Sequence, residues 1–527
     1  MRQSQMVFEG LRQNGRNGQL TEETRVESFL GGMPVYEDGR LISNPMPPPP
    51  PAYVPWSLSE CFFQHLDALF SYNASIGMGP TVSARNYYLF LASVTQAYLW
   101  VTKGGFSGIK DGWNYATKYL LQTDSDRLCW MNHCLYQIVQ MFGITPDLFQ
   151  ILEKERKALQ WNEETQAKEV ERIQKEANWS LWLSTWQSWF SQRVSDGSKE
   201  ATAVPPVSAL PNGSLSLNVT TTQDIASYPQ PYKWTRLIVG GRVRNYLTYN
   251  WESVKSTCLT SAEETTMKSS ASSAFPSDTE RTAEIASLLT LTQALTDEQK
   301  LIAELWAGGP GTVSPPGMYM MLWRLYAEAT QPTPLTLFQS GLQLAVSLFE
   351  GSRLTWALKK QYMQSRPIQE IRLRYKNDDV TLYDGTIVKG ELWIPFQAPN
   401  FVTPPFADFP SGHSCFGRCF ANVMTHWFGS AVPSTPVTFS NGKLFSPVLQ
   451  SSFTTPFGSF PIAQGASEVQ PSVEPSAPLT LSFTTWDQIS ESSGISRQYG
   501  GIHCISAHTG SVTLADSVTD VVLAKWV

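Results

Sequence analysis

The chain has 527 residues, with 39 Lys and Arg against 45 Asp and Glu, a formal net charge of -6 at pH 7, 42% hydrophobic and 12% aromatic residues. That balance excludes a disordered or fibrous chain and supplies no global attraction to nucleic acid or an anionic membrane, so a basic site must be local; the length predicts one large domain or two closely packed halves with a sizeable core. Seven cysteines, an odd number without CxxC spacing, indicate neither a disulfide framework nor a zinc knuckle and predict reduced thiols.

Met1-Arg2-Gln3-Ser4-Gln5-Met6 runs on into polar sequence without an apolar core, which argues against a cleaved signal peptide. Residues 1–55 read as a polar and then proline-rich arm, with Pro45 and the run Pro47 to Pro51. An N-terminal helical half is expected over 56–275. Its most apolar stretch, Tyr87 to Val101, is interrupted by Ser93, Thr95 and Gln96 and falls short of the roughly 20 apolar residues that span a bilayer. A soluble protein without a membrane span is expected. The charged segment Glu153 to Glu176 predicts one long exposed helix. Trp179, Trp182, Trp186 and Trp189 are spaced to lie on one helical stripe, which predicts core or subunit contact. Residues 195–278 are rich in Ser and Thr and read as loops with short strands around Trp234 to Val243, the expected boundary between two halves.

A C-terminal helical bundle is expected over 276–527. Thr296 is the N-cap of a helix, with Gln299 closing a capping box, that should end at Gly308-Gly309-Pro310. Further helices are predicted at 317–329 and 333–364, and 429–482 reads as one long Ser/Thr/Pro-rich loop. The overall pattern is mainly α.

Three separated pieces share one chemical theme. In Lys359-Lys360-Gln361-Tyr362-Met363-Gln364-Ser365-Arg366-Pro367, two helical turns would put Lys359 and Arg366 on one face, so that two cations converge on one anion. Pro410-Ser411-Gly412-His413 precedes the apolar pattern Phe416, Phe420, Val423, Met424, Phe428, which reads as a helix. The free N–H groups at its N-terminus, Gly412 among them, and the Ser411 hydroxyl can hold anion oxygens. Ser496-Arg497-Gln498-Tyr499-Gly500-Gly501-Ile502-His503 adds a planar donor fork in Arg497 and a ligating nitrogen in His503. An isolated PSGH or a lone histidine is more often structural. The ordered triple is what points to a tetrahedral oxyanion.

Read together, KxxxxxxRP, then PSGH, then SRxxxxxH, the sequence resembles the vanadium haloperoxidase and type-2 phosphatidic acid phosphatase superfamily. The likeness extends to Lys300-Leu301-Ile302-Ala303-Glu304-Leu305-Trp306 through Pro310, Pro315-Pro316-Gly317, Trp393-Ile394-Pro395 and Thr403-Pro404-Pro405-Phe406, and spans about 290 to 510. The resemblance implies two packed helical bundles, haloperoxidase-like, around a vanadate cofactor. In that family Lys359, Arg366 and Arg497 would neutralise vanadate oxygens, the Ser411 hydroxyl and Gly412 N–H would complete the cradle, His503 would ligate vanadium, and His413 would act in acid-base catalysis. Lys359 would also polarise bound peroxide. Hydrogen peroxide and a halide would be the substrates and a small organic molecule the acceptor. Relatives often assemble as dimers or larger. Trp356 and Phe406 occupy positions where chloride-oxidising fungal relatives carry Trp and Phe, a halide-pocket expectation.

Departures from the family pattern are visible too. The stretch 414–495 is longer than the usual spacing, Gly308 stands where many relatives have Asp, and no Asp follows His503, which leaves the group that orients this imidazole unidentified. His65, His133, His426 and His508 read as ordinary, and Cys415, Cys419 and Cys504 as packing residues near the site. Two other readings stay open at this level. One is an acid phosphatase acting through a phosphohistidine at His503, and the other a catalytically silent anion-binding protein.

Overall fold

The computed structural model describes residues 57–102, 119–221 and 224–526, with a short antiparallel pairing of Tyr36–Glu37 (β1) and Arg40–Leu41 (β2). The proline-rich run and the rest of the expected arm lie outside the described residues. Only helices of eight residues or more are numbered below.

In the N-terminal half, α1 (Leu58–Ser75), α2 (Pro80–Val101) and α3 (Asp124–Gln140) pack on one another, and α4 (Leu148–Leu159), α5 (Glu163–Glu176) and α6 (Trp179–Val194) lie against them. The segment expected as one helix over 153–176 is two. Gln160 adopts a left-handed conformation, φ 55°, and Asn162 caps the next helix by accepting from the Thr165 N–H at 2.8 Å. A short polar side chain that bonds its own backbone ends one helix and starts another where charge periodicity alone runs on. On the tryptophan stripe Trp182, Trp186 and Trp189 are buried and Trp179 is half-buried, and the Trp182 and Trp186 rings stack at 5.5 Å.

The connecting region carries β3 (Ser216–Asn218), β4 (Arg236–Val239) and β5 (Arg242–Arg244) in one small sheet, parallel then antiparallel. Strands at 236–244 fall where the Trp234 to Val243 apolar run placed them. Helices α7 (Ser261–Ser272) and α8 (Asp278–Thr292) lead to α9 (Asp297–Leu305), which has the capping box of Thr296 and Gln299 and stops at Leu305, three residues before the glycines. The C-terminal bundle is α10 (Ser314–Thr330), α11 (Pro334–Tyr362), α13 (Gly412–Phe428), α14 (Trp486–Tyr499) and α15 (Ile505–Lys525), with the short α12 (Pro367–Arg374) and hairpin β6 (Asp379–Thr381)–β7 (Ile387–Lys389) beside it.

The stretch 429–482 differs from the expected single loop. It folds into β8 (Pro436–Phe439) paired with β9 (Phe453–Pro456), and β10 (Ser459–Ile462) paired with β11 (Leu479–Ser482). Phe439, Phe445, Phe460 and Phe483 build an aromatic cluster with Trp306 at ring separations of 5.5 to 6.2 Å among the contacting pairs. Alternating Phe in short β segments buries one face, a period-2 signal too brief to stand out in a Ser/Thr/Pro background. Among the described residues, no helix is long and apolar enough to cross a membrane.

Helix α11 is the element shared by both halves. It contacts α2 on one side and α13 and α15 on the other, and nearly every residue from Leu337 to Lys359 is buried. Close approach depends on small side chains. A Cβ at Gly341 would stand 2.5 Å from the ring of Trp323 and 3.0 Å from Leu91, so Gly341→Ala is expected to cost about 1–3 kcal/mol by overpacking. A drop in the thermal midpoint with the α-helical circular dichroism preserved checks this; an unchanged midpoint counts against α11 as a tightly packed axis.

Candidate active site

The three sequence pieces come together around the start of α13. Lys359 lies in the last turn of α11, but Arg366 is not on the same helix. Met363 turns left-handed, φ 44°, and ends α11, while Arg366 is the N-cap of α12 with Pro367 at its first position. The one-face expectation is therefore corrected: a left-handed cap and a proline replace the second helical turn, and a kink brings Arg366 back. The kink is tied down by the 233–234 segment, where Trp234 N–H donates to Met363 O at 2.7 Å and Lys233 Nζ to Tyr362 O at 2.8 Å. Those bonds satisfy carbonyls that a helix end leaves without partners.

Lys359 is wholly buried, and its ammonium donates to the carbonyls of Ala407 (2.8 Å), Asp408 (2.9 Å) and Pro410. It therefore organises the turn leading into α13. The rings of Phe406 and Trp356 flank it at 5.1 and 5.7 Å, and Trp356 meets Phe406 at 4.8 Å. Arg366 also lies over Phe406, at 5.0 Å, and donates to Phe406 O at 2.7 Å and Ile502 O at 2.8 Å.

Ser411 caps α13, its hydroxyl accepting from the Ser414 N–H at 3.4 Å, which leaves the O–H to donate. Gly412 is the first helical residue, and its Cα faces the Trp356 ring, a Cβ there falling 3.6 Å from Cζ3. His413 is buried beside the backbone carbonyls of Ala307 and Trp306, and its Nε2 has no hydrogen-bond partner among the described residues. The chain reaches those carbonyls through Gly308, whose φ of +57° and 2.9 Å approach to Pro315 exclude a side chain, Asp included. Arg497 donates to Ser496 Oγ at 2.9 Å and to Ala303 O of α9.

His503 receives what the sequence left unidentified. Its Nδ1 contacts the Asp408 carboxylate, and Arg366 Nη1 meets its Nε2 at 3.0 Å. An ionised carboxylate cannot donate, so Nδ1 carries the proton and Nε2 presents its lone pair. Asp408 is five residues before His413, and its signal was a single acid in the otherwise uncharged stretch Phe401 to Gly412. Arg281 of α8 was not signalled at all. It donates to Asp408 at 2.8 Å, to Glu370 at 2.9 Å and to Ser365 O at 3.1 Å.

The electrostatics follow from burial. Desolvation pulls the Lys359 ammonium well below its ordinary range, and Arg366 beside it adds to this. Burial likewise lowers Arg366 and Arg497, which repel one another. His503 falls to about 3 through burial and then Arg366, and His413 falls through burial, Arg497 and His503, so both imidazoles are neutral near pH 7. Burial pushes Asp408 up, but His503 and Arg281 more than offset it and hold it ionised. Lys359 and Arg366 thus have near them one carboxylate, Asp408, whose two oxygens are already engaged by His503 and Arg281, and Arg497 adds a further buried cation. One orphaned donor completes the picture: Arg366 Nη2 has no hydrogen-bond partner among the described residues. A cup with surplus buried positive charge and an idle donor suits a multiply charged tetrahedral oxyanion, to whose central atom the His503 lone pair could pass from Arg366 Nη1.

Arg281 should be a principal support of this arrangement. Arg281→Met removes the guanidinium that the buried carboxylates of Asp408 and Glu370 share and is expected to cost about 3–5 kcal/mol. Arg374→Met, which removes a more exposed partner of Glu370, should cost roughly 1 kcal/mol or less. Thermal denaturation of the two variants checks the order, and equal losses would remove Arg281 from this role.

Residues 339–526 match the VCPO second helical-bundle domain. No curated protein sequence matches the chain. Among solved structures it is similar to a bacterial vanadium-dependent iodoperoxidase, at TM-score 0.58 and 14% identity, covering 89% of this chain and 96% of that one. It is also similar to a bacterial vanadium-dependent chloroperoxidase. The apo form gives TM-score 0.57 and 13% identity over 85% of this chain and 95% of that one, and the holo form 0.54 and 13% over 86% and 96%. Residues 339–526 are therefore a VCPO second helical-bundle domain, set in a chain with the mainly α fold of the vanadium-dependent haloperoxidases.

Proposed function

We propose that the protein is a vanadium-dependent haloperoxidase that uses hydrogen peroxide to oxidise a halide, delivering the oxidised halogen to small organic acceptors. The observation that carries this reading is the surplus of buried positive charge around one neutral, carboxylate-oriented imidazole. Vanadate bound there would act as a Lewis acid that activates peroxide without changing its own oxidation state.

Arg366, Arg497 and Lys359 would neutralise the oxyanion. Arg366 has an idle Nη2, whereas Lys359 would exchange one of its three carbonyl contacts for an oxygen. The Ser411 O–H and the Gly412 N–H at the start of α13 would add neutral donors. Asp408 keeps the His503 proton on Nδ1, which directs Nε2 at the central atom and raises its basicity. His413, neutral and with Nε2 unpartnered, is the group to accept a proton from incoming peroxide and return it to the leaving oxygen. Trp356 and Phe406 form an apolar wall beside Lys359 and Arg366, where a halide would shed water while remaining near positive charge.

Orthovanadate added to the purified protein, followed by peroxide with chloride, bromide or iodide and a halogenatable dye, tests the reading. Peroxide-dependent halogenation is expected, and phosphate-ester cleavage without halogenation would overturn it in favour of an acid phosphatase. His503→Ala should lose vanadium on desalting, while His413→Ala should retain it yet lose about 100-fold or more in turnover. Equal loss of bound vanadium in both variants would refute the division of roles.

A further inference from the structure

A second group of metal-ligating side chains lies in the N-terminal half, where α3 meets α4. Cys129 and His133 are four apart on α3 and share its inner face, and Glu155 comes from α4. The Cys129 thiol, a His133 ring nitrogen and a Glu155 carboxylate oxygen all lie within 4.8 Å of one another.

The carboxylate is the telling member. Glu155 is 0% exposed, although the charge run around it reads as a solvated face. Asn132 Nδ2 donates to its Oε2, while Oε1 has no hydrogen-bond partner. His133 Nε2 stands 3.3 Å from Oε2 without making a hydrogen bond. Nearby cations are committed elsewhere. Lys154 Nζ donates to Gln64 at 2.8 Å, and Arg172 pairs with Asp126, Glu169 and Glu176. Among the described residues no lysine or arginine pairs with this buried carboxylate, which is met by an amide, a thiol and an imidazole, and a buried anion held only by such groups suits a cation.

We propose that Cys129, His133 and Glu155 bind one divalent transition-metal cation of the zinc class, cross-linking α3 to α4. Thiolate, imidazole and carboxylate together suit that class, whereas calcium or magnesium would call for oxygens alone. Binding converts the Cys129 thiol to thiolate, its proton passing to solvent, and replaces the contacts that Glu155 makes with its neighbours. Small side-chain rotations bring the three donors to bonding distances of about 2.0–2.3 Å, and a water takes the fourth position. His133, whose side chain is 21% exposed, marks the way in. Asn132, holding Oε2, is a positioning residue.

The test uses the full chain, stripped with a chelator and dialysed against zinc or cobalt chloride. One equivalent should be retained, and cobalt should give a thiolate charge-transfer band in the near ultraviolet. Cys129→Ser should lose that band, and Glu155→Gln should weaken zinc binding at least about tenfold. Should either fail to fold, His133→Ala, changed at a partly exposed side chain, must show the same loss of metal with unchanged circular dichroism. Retention of no metal by the unaltered chain, or a cobalt band that survives Cys129→Ser, would overturn the site. Vanadate retention and halogenation by metal-stripped protein are read separately, so this outcome is independent of the oxyanion cup.

Discussion

Like charges buried together are the constraint on which the structure turns. Lys359, Arg366 and Arg497 are each almost wholly removed from solvent, and a cation in that position is costly unless something compensates it. Asp408 is the carboxylate placed beside Lys359 and Arg366, and both of its oxygens are engaged, one by His503 and one by Arg281. From there the charge is handed outward, through Arg281 to Glu370 and through Glu370 to Arg374, which is 20% exposed. The network thus ties the middle of the core to a surface where water can screen it. Elements with no part in the chemistry, such as α8 and α12, are held in place by what they contribute to this chain of ion pairs.

The backbone carries as much of the load as the side chains. Lys359 gathers three carbonyls of the turn before α13, so the same residue that makes the potential of the cup positive also sets the direction in which that helix starts. Arg366 does likewise for Phe406 and Ile502. A charged donor bonded to neutral carbonyls is held without being neutralised. Positive potential therefore survives in a place where ion pairing would have cancelled it.

Around this centre the remaining structure acts as support. Helix α9 offers Ala303 O to Arg497, and the turn after it offers Trp306 and Ala307 to His413. That helix is in turn gripped by the 429–482 region: Lys300 pairs with Glu474 at 2.6 Å, and Glu304 accepts from the Glu468 and Val469 N–H groups at 2.7 and 3.0 Å. On the opposite side, Glu350 of α11 is fully buried and accepts from Ser256, Thr257 and Arg353, which secures the connecting region against the shared helix.

The sequence by itself determined the mainly α class, the capping box at Thr296, the tryptophan stripe and the residues of the proposed oxyanion cup, because each is local: a helical period, a cap three residues long, or a motif of fixed letters. Only the tertiary structure decided how Lys359 and Arg366 converge across a left-handed cap, that Asp408 and Arg281 support His503, and that 429–482 pairs into strands. It also decided that Glu155 is buried despite its charged surroundings. These are contacts between residues far apart in the chain, and the identity of a partner across such a distance is set by how whole helices pack, which no short window of sequence encodes.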